Sequence, residues 1–380
     1  MRKIRIVYTI PNFDTAGSGI ALLKLVSRLD RDRFEPCIVC LHDRGALFQT
    51  VTASGIPVHI YPYLTPQRPR LRFLSGILQT ARFFRSLGAD IVFSYHYAPD
   101  LSEVFAARLS GARFMYVKKN MGWQGPSHKQ WRIKTWLAHA ITVQNRDMME
   151  QFYKGVGKAR IISIGVDRSE FKPSDPDNRL RDELLKGSSD RIILCVANLV
   201  PKKGIRYLIE AFSLSRHRDS TRLVIVGNHD TPLWEETCRL VSASGLDGRV
   251  LFTGKRSDVT RFYTVADLFI LPSTGDEGAP IVIQEAMASG VPVLTTSVPG
   301  NRDQLEELPG QLVPPCDAES LQQAIDRLLS LDIFGIDSIR EIQMGILEKR
   351  YSIHNEVLMH EQLYSEALNH RRKTHGDLPK

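Results

Sequence analysis

The sequence lacks any run of about 18 consecutive apolar residues, the length that predicts a transmembrane helix. Its basic start, MRKIRIVYTIPNF, is followed by no long apolar region because Arg5 interrupts it, so we expect no signal peptide. Low-complexity tracts and short-period repeats are also missing. Cysteine is scarce, at five residues in 380, which excludes a small disulfide scaffold. Fibrous, disordered and membrane-spanning chains are therefore excluded.

The five cysteines form no recognisable metal site. Cys37 and Cys40 have CxxC spacing, but no second CxxC or histidine cluster completes a zinc site. The run FEPCIVCL reads as a buried strand, which favours free core thiols. We therefore expect a reducing, cytosolic compartment.

The net charge indicates which partners to expect, and the length indicates the number of domains. Fifty basic residues against 42 acidic ones give a net charge of +8, which suits an anionic substrate or an anionic membrane surface. No RRM, KH or zinc-finger signature is present, so nucleic acid is not an expected partner. A chain of 380 residues predicts two domains, because single cores stop growing near about 250–300 residues.

Strand and helix patterns alternate along both halves of the chain. IRIVYTI is rich in β-branched residues, PNFDTAGSG is a turn, and IALLKLVSRL repeats apolar residues at helical spacing. Residues 171–190 carry two prolines and many charges, and they read as a linker before the alternation restarts. The predicted fold is α/β, with two doubly wound Rossmann-like domains facing a central cleft.

Residues 271–303 carry the most specific pattern. A strand ends near Leu271 and a helix begins at Pro280, whose missing N–H costs nothing in a first helical turn. The backbone N–H groups of Gly278 and Ala279, with the helix dipole, predict a diphosphate site. Glu285, inside this helix, is a candidate ligand for ribose hydroxyls.

Glu277, in the preceding loop, is a candidate for holding sugar hydroxyls. The alternative is that Glu277 and Glu285 are solvated charges, although Ile283, Ala286 and Met287 make an apolar setting for Glu285.

This stretch resembles the E-x7-E motif of family 4 glycosyltransferases (GT4), which have the GT-B fold. The resemblance rests on an ordered run of matching positions: Glu277-Gly278, Pro280, Glu285-Ala286-Met287-Ala288, Gly290, Pro292 and Gly300. It implies a Rossmann-like acceptor-binding domain over residues 1–172 and a nucleotide-sugar-binding domain over 173–350. Residues 351–380 would form a helix that crosses back to the first domain, and a tail.

The resemblance also implies roles for basic residues of the second half. Lys203 matches the family's lysine that grips the donor diphosphate, while Asn198 stands where many members carry arginine. Asparagine can donate a hydrogen bond to phosphate but brings no charge, so either the affinity for diphosphate is lower here, or Lys202, Lys255 or Arg256 compensates.

In the first half, Gly17-Ser18-Gly19 resembles the family's glycine loop, where the backbone approaches the donor. Members often carry a histidine where this chain has Lys118 and Lys119, so Lys119 becomes a candidate catalytic residue. His96, at the end of the preceding strand, is a second candidate. For Lys119 and His96, a purely structural role is the alternative.

The resemblance implies a retaining hexosyltransferase that acts without a metal. Asp30-Arg31-Asp32 and Asp175-Pro176-Asp177 have Asp-x-Asp spacing but read as solvated turns. The expected donor is a UDP-sugar, with GDP-mannose as the alternative, and no other cofactor is expected. The acceptor would be a saccharide or glycolipid of cell-surface polysaccharide or lipopolysaccharide synthesis. A nucleotide-sugar-binding protein without transfer activity and a GT-B epimerase are the competing interpretations, and a dehydrogenase fits less well.

Residues 63–87 combine basic and apolar side chains. The basic ones are Arg68, Arg70, Arg72, Arg82 and Arg85, and the predicted helix places Leu74, Ile77, Leu78, Ala81 and Phe84 on one face. Such a helix suits an anionic bilayer, which predicts a cytoplasmic protein peripheral to the inner face of the membrane. A packing helix with a charged outer face is the alternative.

Overall fold

The computed structural model describes residues 2–14, 16–45, 47–122, 127–275 and 277–374. The chain divides into two units. Unit 1 comprises Met1–Ile164 and Ile353–Lys380, and unit 2 comprises Gly165–Ser352. The sequence-based domains of residues 1–172, 173–350 and 351–380 stay a prediction, and each unit is described by itself.

Unit 1 is built on a parallel seven-stranded sheet of order β3-β2-β1-β4-β5-β6-β7. Its strands are short and rich in Ile, Val, Phe and Tyr, and nearly all their central residues are buried, as expected when helices cover both faces. The strands are β1 Ile4–Ile10, β2 Phe34–Cys40, β3 Val58–Ile60, β4 Ile91–Ser94, β5 Arg113–Lys118, β6 Ala140–Val143 and β7 Ala159–Ile161.

Two helical layers cover this sheet. Alternate residues of β1 point to opposite faces, so Tyr8 packs in one apolar cluster and Val7 in the other. The helices are α1 Ala16–Ser27, α2 Phe48–Ala53, α3 Arg70–Ser86, α4 Ser102–Ser110, α5 His128–Leu137 and α6 Arg146–Phe152. Residues of α1 and α2 pack with the Tyr8 cluster, and residues of α3, α4, α5 and α6 pack with the Val7 cluster.

Helix α3 confirms only part of its predicted apolar face. Ile77, Ala81 and Phe84 are buried, but Leu74 and Leu78 are 57% and 51% exposed. The single-face assignment was wrong because apolar positions three and four apart span a wide arc of a helix, and only one side of that arc meets the sheet.

Unit 2 repeats the plan with a parallel six-stranded sheet of order β10-β9-β8-β11-β12-β13. Its strands are β8 Arg191–Val196, β9 Thr221–Val226, β10 Val250–Gly254, β11 Leu268–Leu271, β12 Val293–Thr296 and β13 Leu312–Val313. Its helices are α7 Asn178–Leu185, α8 Ile205–Leu214, α9 Trp234–Ala243, α10 Val259–Val265, α11 Ile281–Ala288, α12 Asn301–Gln304, α13 Ala318–Leu328 and α14 Ile333–Ile346. The two parallel sheets confirm the predicted α/β fold class.

The predicted linker at residues 171–190 contains helix α7. Asp177 caps this helix, since its carboxylate accepts a hydrogen bond from Leu180 N at 3.0 Å. Leu180, Leu184 and Leu185 are buried in the unit 2 core, which explains why a charged, proline-containing segment is ordered here. The linker prediction was wrong because the spacing of these three leucines outweighs the polar composition.

The last helix, α15 Ile353–Thr374, belongs to unit 1. Val357, Leu363 and Tyr364 are buried in the same cluster as β1, and the Tyr8 hydroxyl donates to the Tyr364 hydroxyl at 3.0 Å. The chain therefore returns to unit 1 to complete its core. Among the described helices we find no candidate for a transmembrane segment.

Candidate functional site

The candidate site of unit 2 lies where its strand order reverses. Strand β8 pairs with β9 on one side and with β11 on the other, so the loops after β8 and β11 leave the sheet side by side. In open parallel sheets, ligands bind beyond the carboxyl ends of the strands at this point. Lys203 follows β8 and Glu277 follows β11, so the topology brings together two residues that are 74 positions apart.

The two loops are held tightly against each other. Pro201–Lys203 forms one 3-10 turn, and Lys202 O accepts from Thr274 N at 2.9 Å. A Cβ added at Gly204, which has φ of +64°, would lie 2.0 Å from Pro272 O. Only glycine fits this close backbone crossing, so the β8 loop is fixed in place against the β11 loop.

Glu277 and Lys203 form a mostly buried ion pair. Lys203 Nζ donates to Glu277 Oε1 at 2.7 Å, and the Ser273 hydroxyl donates to the same oxygen at 3.0 Å. Lys202 Nζ lies 3.9 Å from Glu277 Oε2. The Glu277 side chain is 8% exposed and that of Lys203 is 18% exposed, so solvent screens their attraction only weakly. The arrangement places a fixed carboxylate and a fixed ammonium at the edge of the sheet.

Helix α11 starts directly beside this pair. Glu277 N donates to Pro299 O at 3.2 Å, and Gly300 lies so close that an added Cβ would meet Gly278 O at 2.3 Å. Pro280 precedes the first helical residue, and Ala279 is buried. The N–H groups of a first helical turn have no intrahelical partner, so this start favours an anion.

Glu285 lies one turn inside α11, with its carboxylate anchored. The Tyr263 hydroxyl donates to Glu285 Oε2 at 3.0 Å. Burial raises the pKa of Tyr263 well above 10, with the Glu285 carboxylate adding to it, so the phenol stays protonated and keeps donating. Tyr263 was missed from the sequence, because one tyrosine in the apolar pattern of α10 gives no sign of its partner.

Asn198 is exposed and serves the local backbone. Its Oδ1 accepts from Asn228 N at 3.0 Å, which ties the loop after β8 to the loop after β9. The amide of Asn198 therefore makes a structural contact and brings no charge to this position.

Lys255 and Arg256 follow β10, and both are exposed. The guanidinium of Arg256 is held by Asp258 through two hydrogen bonds of 2.8 Å and 2.7 Å. This contact lowers the pKa of Asp258 to about 2. Within the described ranges Lys255 has no ion-pair partner, whereas Arg256 is paired with Asp258. Lys255 is therefore the better candidate for binding an anion.

The candidate residues of unit 1 also meet at a reversal of strand order, where β1 lies between β2 and β4. Lys119, after β5, reaches back to the start of α1 and donates to Ser18 Oγ and Tyr95 O, both at 2.6 Å. Its Nζ also lies 4.0 Å from the ring centre of Tyr97. Burial, followed by the charge of Lys134, lowers the pKa of Lys119 to about 7.

Gly17, Ser18 and Gly19, predicted as a loop, instead lie in the first turn of α1, because the helix already begins at Ala16. The two glycines contribute unequally. A Cβ at Gly19 would meet Phe13 Cδ1 at 2.8 Å, whereas a Cβ at Gly17 would meet nothing within 4 Å. A side chain at Gly19 would therefore displace Phe13 or Leu47, whereas Gly17 leaves the backbone open on that side. Ser18 between them is the residue that contacts Lys119.

His96 follows β4 and is partly buried. Its Nδ1 has no hydrogen-bond partner among the described residues. Burial, helped by the charge of Lys134, lowers the pKa of His96 to about 4, so the imidazole is neutral at ordinary pH.

Sequence reasoning missed a buried ion pair behind this edge. Lys134 and Glu103 are both fully buried, with Nζ and Oε2 3.8 Å apart, and Glu103 also accepts from Ser94 Oγ at 2.6 Å. Lys118 donates to Asn120 Oδ1 and lies 4.5 Å from the ring centre of Trp131. Burial lowers the pKa of Lys118 to about 8. The one signal in the sequence is the position of Glu103 directly before the apolar residues Val104–Ala107 of α4.

Metal-ligand clusters were searched for in the same residues. In the described part of the chain, no three His, Cys, Asp or Glu side chains come together in a way that would hold a metal ion. The expectation of metal-free chemistry stays a prediction.

Two family models match the chain, one in each half. Residues 15–170 match "Glycosyltransferase Family 4", and residues 176–340 match "Glycosyl transferases group 1". A GDP-mannose-dependent alpha-(1-6)-phosphatidylinositol monomannoside mannosyltransferase of Mycolicibacterium smegmatis is 30% identical over 57% of this chain. That alignment spans 58% of the relative's own length, less than two thirds. An Escherichia coli UDP-Gal:alpha-D-GlcNAc-diphosphoundecaprenol alpha-1,3-galactosyltransferase is 23% identical over 82% of this chain and 84% of its own.

Solved structures share the fold along nearly the whole chain. A glycosyltransferase from Rickettsia africae has a TM-score of 0.85 at 22% identity, covering 97% of this chain and 99% of its own. Anabaena HepE in complex with UDP and glucose has a TM-score of 0.78 at 19% identity, covering 96% of this chain and 100% of its own. These similarities, with the two family matches that span most of the chain, identify the protein as a member of the family 4 (group 1) glycosyltransferases, with the GT-B fold.

Proposed function

We propose that this protein transfers a hexose from a nucleoside-diphosphate sugar to a saccharide or lipid-linked saccharide acceptor in glycolipid or cell-surface polysaccharide synthesis. The observation that carries the proposal is the Lys203–Glu277 pair beside the start of α11. A diphosphate needs fixed positive charge and aligned N–H donors, and a sugar needs carboxylate acceptors. The edge of unit 2 where β8 and β11 end offers both side by side.

In the proposed reaction the bond between the anomeric carbon and the diphosphate oxygen breaks, and the diphosphate leaves with the electron pair. The acceptor hydroxyl oxygen bonds to the same face of the sugar, which retains the anomeric configuration. Its proton passes to an oxygen of the leaving phosphate. Charge grows on the diphosphate, where the Lys203 ammonium and the first N–H groups of α11 stabilise it without a divalent ion.

The two glutamates have separate proposed roles. Glu285, held by Tyr263, accepts hydrogen bonds from the ribose hydroxyls, and Glu277 accepts from the hydroxyls of the transferred sugar. A carboxylate accepts up to about four hydrogen bonds, so contacts with Lys203 and Ser273 are compatible with a sugar ligand. In unit 1, Lys119 and Ser18 are proposed to meet the donor phosphate or sugar.

A UDP-sugar is the proposed donor and GDP-mannose the alternative. A relative that uses UDP-Gal and a neighbour bound to UDP support the first, and the GDP-mannose-dependent relatives support the second. A thermal-shift screen across UDP-, GDP- and ADP-sugars distinguishes them, because a ligand at about 100 times its Kd stabilises by about 2.7 kcal/mol.

The transfer itself is tested by incubating each stabilising donor with lipid-linked and soluble saccharide acceptors and assigning the product anomer by NMR. Lys203→Met is expected to lower kcat/KM at least a hundredfold, and the exposed Lys349→Met serves as the matched control. Donor binding without any product would favour a binding protein, and conversion of the donor alone would favour an epimerase. Either result overturns the proposed transfer.

A further inference from the structure

Buried hydroxyl groups of β12 hold the loop that carries Glu277. The Thr295 hydroxyl donates to Leu271 O at 2.6 Å, and the Thr296 hydroxyl donates to Ser273 O at 2.5 Å. Both threonines are buried. The backbone pairing of β11 with β12 ends at Leu271 and Thr295, so the two hydroxyls extend the connection between these chain segments beyond the end of β11.

Ser273 links these hydroxyls to the candidate site. Its backbone carbonyl accepts from Thr296, while its own hydroxyl donates to Glu277 Oε1 at 3.0 Å. Ser273 is fully buried. The position of the Glu277 carboxylate therefore depends on how β12 holds Ser273.

The short helix α12 supplies two buried amide groups to the same region. Asn301 Nδ2 donates to the Thr295 hydroxyl at 2.8 Å. Gln304 Nε2 donates to Gly300 O at 3.1 Å and lies 3.4 Å from the carbonyl oxygen of Pro280, the residue before α11. Asn301 and Gln304 are both fully buried. One amide thus connects α12 to β12, and the other connects it to the start of α11.

The Gln304 contacts lie at a close crossing of two backbone segments. A Cβ added at Gly300 would lie 2.8 Å from Glu277 O and 2.3 Å from Gly278 O. Because Gln304 reaches both Gly300 and Pro280, it holds the two sides of this crossing together. The first turn of α11, whose N–H groups favour an anion, is thereby kept in one orientation.

These amide groups are a poor choice for stability alone. Gln284, in α11, is fully buried, and neither polar atom of its amide has a hydrogen-bond partner among the described residues. Asn301 Oδ1 and Gln304 Oε1 likewise lack a partner within the described ranges. Burying an amide atom without a hydrogen bond is unfavourable, and an apolar side chain would fill a similar space without this penalty. Such departures are expected where a functional site requires a particular geometry.

We propose that Asn301 and Gln304 are positioning residues for sugar transfer, which hold the loop after β11 against the start of α11. The proposal rests on the proposed function, because it assigns this loop and this helix start to the donor. Neither amide touches the donor: Asn301 acts through Thr295, and Gln304 acts through Gly300 and Pro280. Loss of either amide would let the Glu277 carboxylate and the N–H groups of α11 shift relative to the diphosphate, on which charge grows during transfer.

Gln304→Met removes the amide at nearly constant side-chain length, and Gln343→Met is its matched control. Gln343 is also fully buried, and its amide accepts from Val293 N at 3.0 Å and donates to Val291 O at 2.9 Å, at the amino end of β12. Both substitutions should lower the stability of unit 2. Only Gln304→Met should lower kcat, by at least about tenfold, since a displacement of about 1 Å can cost about a hundredfold. The KM for the donor should rise by a smaller factor, because the diphosphate carries less charge before the bond breaks.

Asn301 is tested through its partner, which also provides a second variant if Gln304→Met folds poorly. Thr295→Val keeps the shape of the side chain and removes the hydroxyl between Asn301 Nδ2 and Leu271 O. The control is Thr221→Val, because Thr221 is fully buried on β9 and its hydroxyl has no hydrogen-bond partner in the described part of the chain. We expect a several-fold lower kcat for Thr295→Val and the wild-type kcat for Thr221→Val.

Hydrogen exchange measured by mass spectrometry reads the positioning without donor or acceptor. The backbone amides of residues 277–283 should exchange faster in Gln304→Met than in Gln343→Met, with urea unfolding used to compare the two at equal folded fraction. Equal changes of exchange and of kcat in both variants would show that the amide contributes stability alone, which overturns the proposal. A difference in exchange together with a wild type that transfers no sugar would instead overturn the proposed function and leave the holding role of Gln304 in place.

Discussion

Lys119 gives the sharpest prediction about pH. Its ammonium is enclosed by Ser18, Tyr95 and Tyr97, with both hydrogen bonds at 2.6 Å, and burial lowers its pKa from 10.5 to about 7. In the unfolded chain Lys119 keeps its proton until about pH 10.5, whereas in the folded chain it loses it near pH 7. Between these values the unfolded state binds more protons, so the free energy of unfolding rises with pH.

The size of the effect follows from the pKa. Each unit of pKa difference corresponds to about 1.36 kcal/mol, so between about pH 7 and about pH 9 Lys119 should add about 2 kcal/mol to the free energy of unfolding. Lys119→Met keeps the length of the side chain and removes this contribution. The stability of wild type minus that of the variant should therefore increase by about 2 kcal/mol across this range, while other titrating groups cancel.

Urea unfolding at several pH values measures this difference. A Trp234→Phe background leaves the three other tryptophans, all in the first 164 residues, to report on unit 1. Parallel pH–stability curves for the wild type and the Lys119→Met variant would refute the assigned environment. If Lys119 also meets the donor phosphate, the Kd of the donor should rise above about pH 7 in wild type and be flat in the variant.

Other predictions concern unit 2 and the remaining histidine. Gly300→Ala should lower the free energy of unfolding by about 3 kcal/mol or more, because its Cβ would meet Gly278 O at 2.3 Å. The control Gly248→Ala is also at positive φ but in open space, and it should lower the free energy of unfolding by about 1 kcal/mol. Urea unfolding compares the two variants. Asn198→Ala should cost about 1 kcal/mol in the same assay, since it removes the contact to the β9 loop. His96→Gln should leave the pH profile of kcat unchanged as pH falls from about 7 to about 5, because the imidazole is already neutral. Treatment with EDTA should leave turnover intact, and complete loss that is restored by a divalent ion would contradict the proposed metal-free reaction.

The fold class was predictable because it depends on local patterns. Short β-branched runs such as IRIVYTI alternate with helical spacing, and this order is typical of parallel sheets wherever it occurs. The prediction of a linker at 171–190 was wrong because it relied on local composition alone. It did not consider the spacing of Leu180, Leu184 and Leu185, which reach the unit 2 core.

The site was predictable where the family's motif is continuous. Glu277, Pro280 and Glu285 lie within nine positions of one another, and their order carries the resemblance. The partners of these residues are distant in sequence: Tyr263 reaches Glu285 from α10, and Ser18 reaches Lys119 across 101 positions. Such contacts arise from the order of strands in the sheet, which no single stretch of sequence contains.

Helix α15 has a consequence for how the protein is made. Because Tyr364 closes the apolar cluster around Tyr8, the core of unit 1 is complete only after α15 has been synthesised, although most of unit 1 precedes unit 2 in the chain. The residues of unit 2 are contiguous, so all of them have been synthesised before α15 begins. A chain truncated before Ile353 would lack the Tyr364 ring that packs against Phe34 and Phe93. We therefore expect unit 1, rather than unit 2, to expose apolar surface while the chain is incomplete.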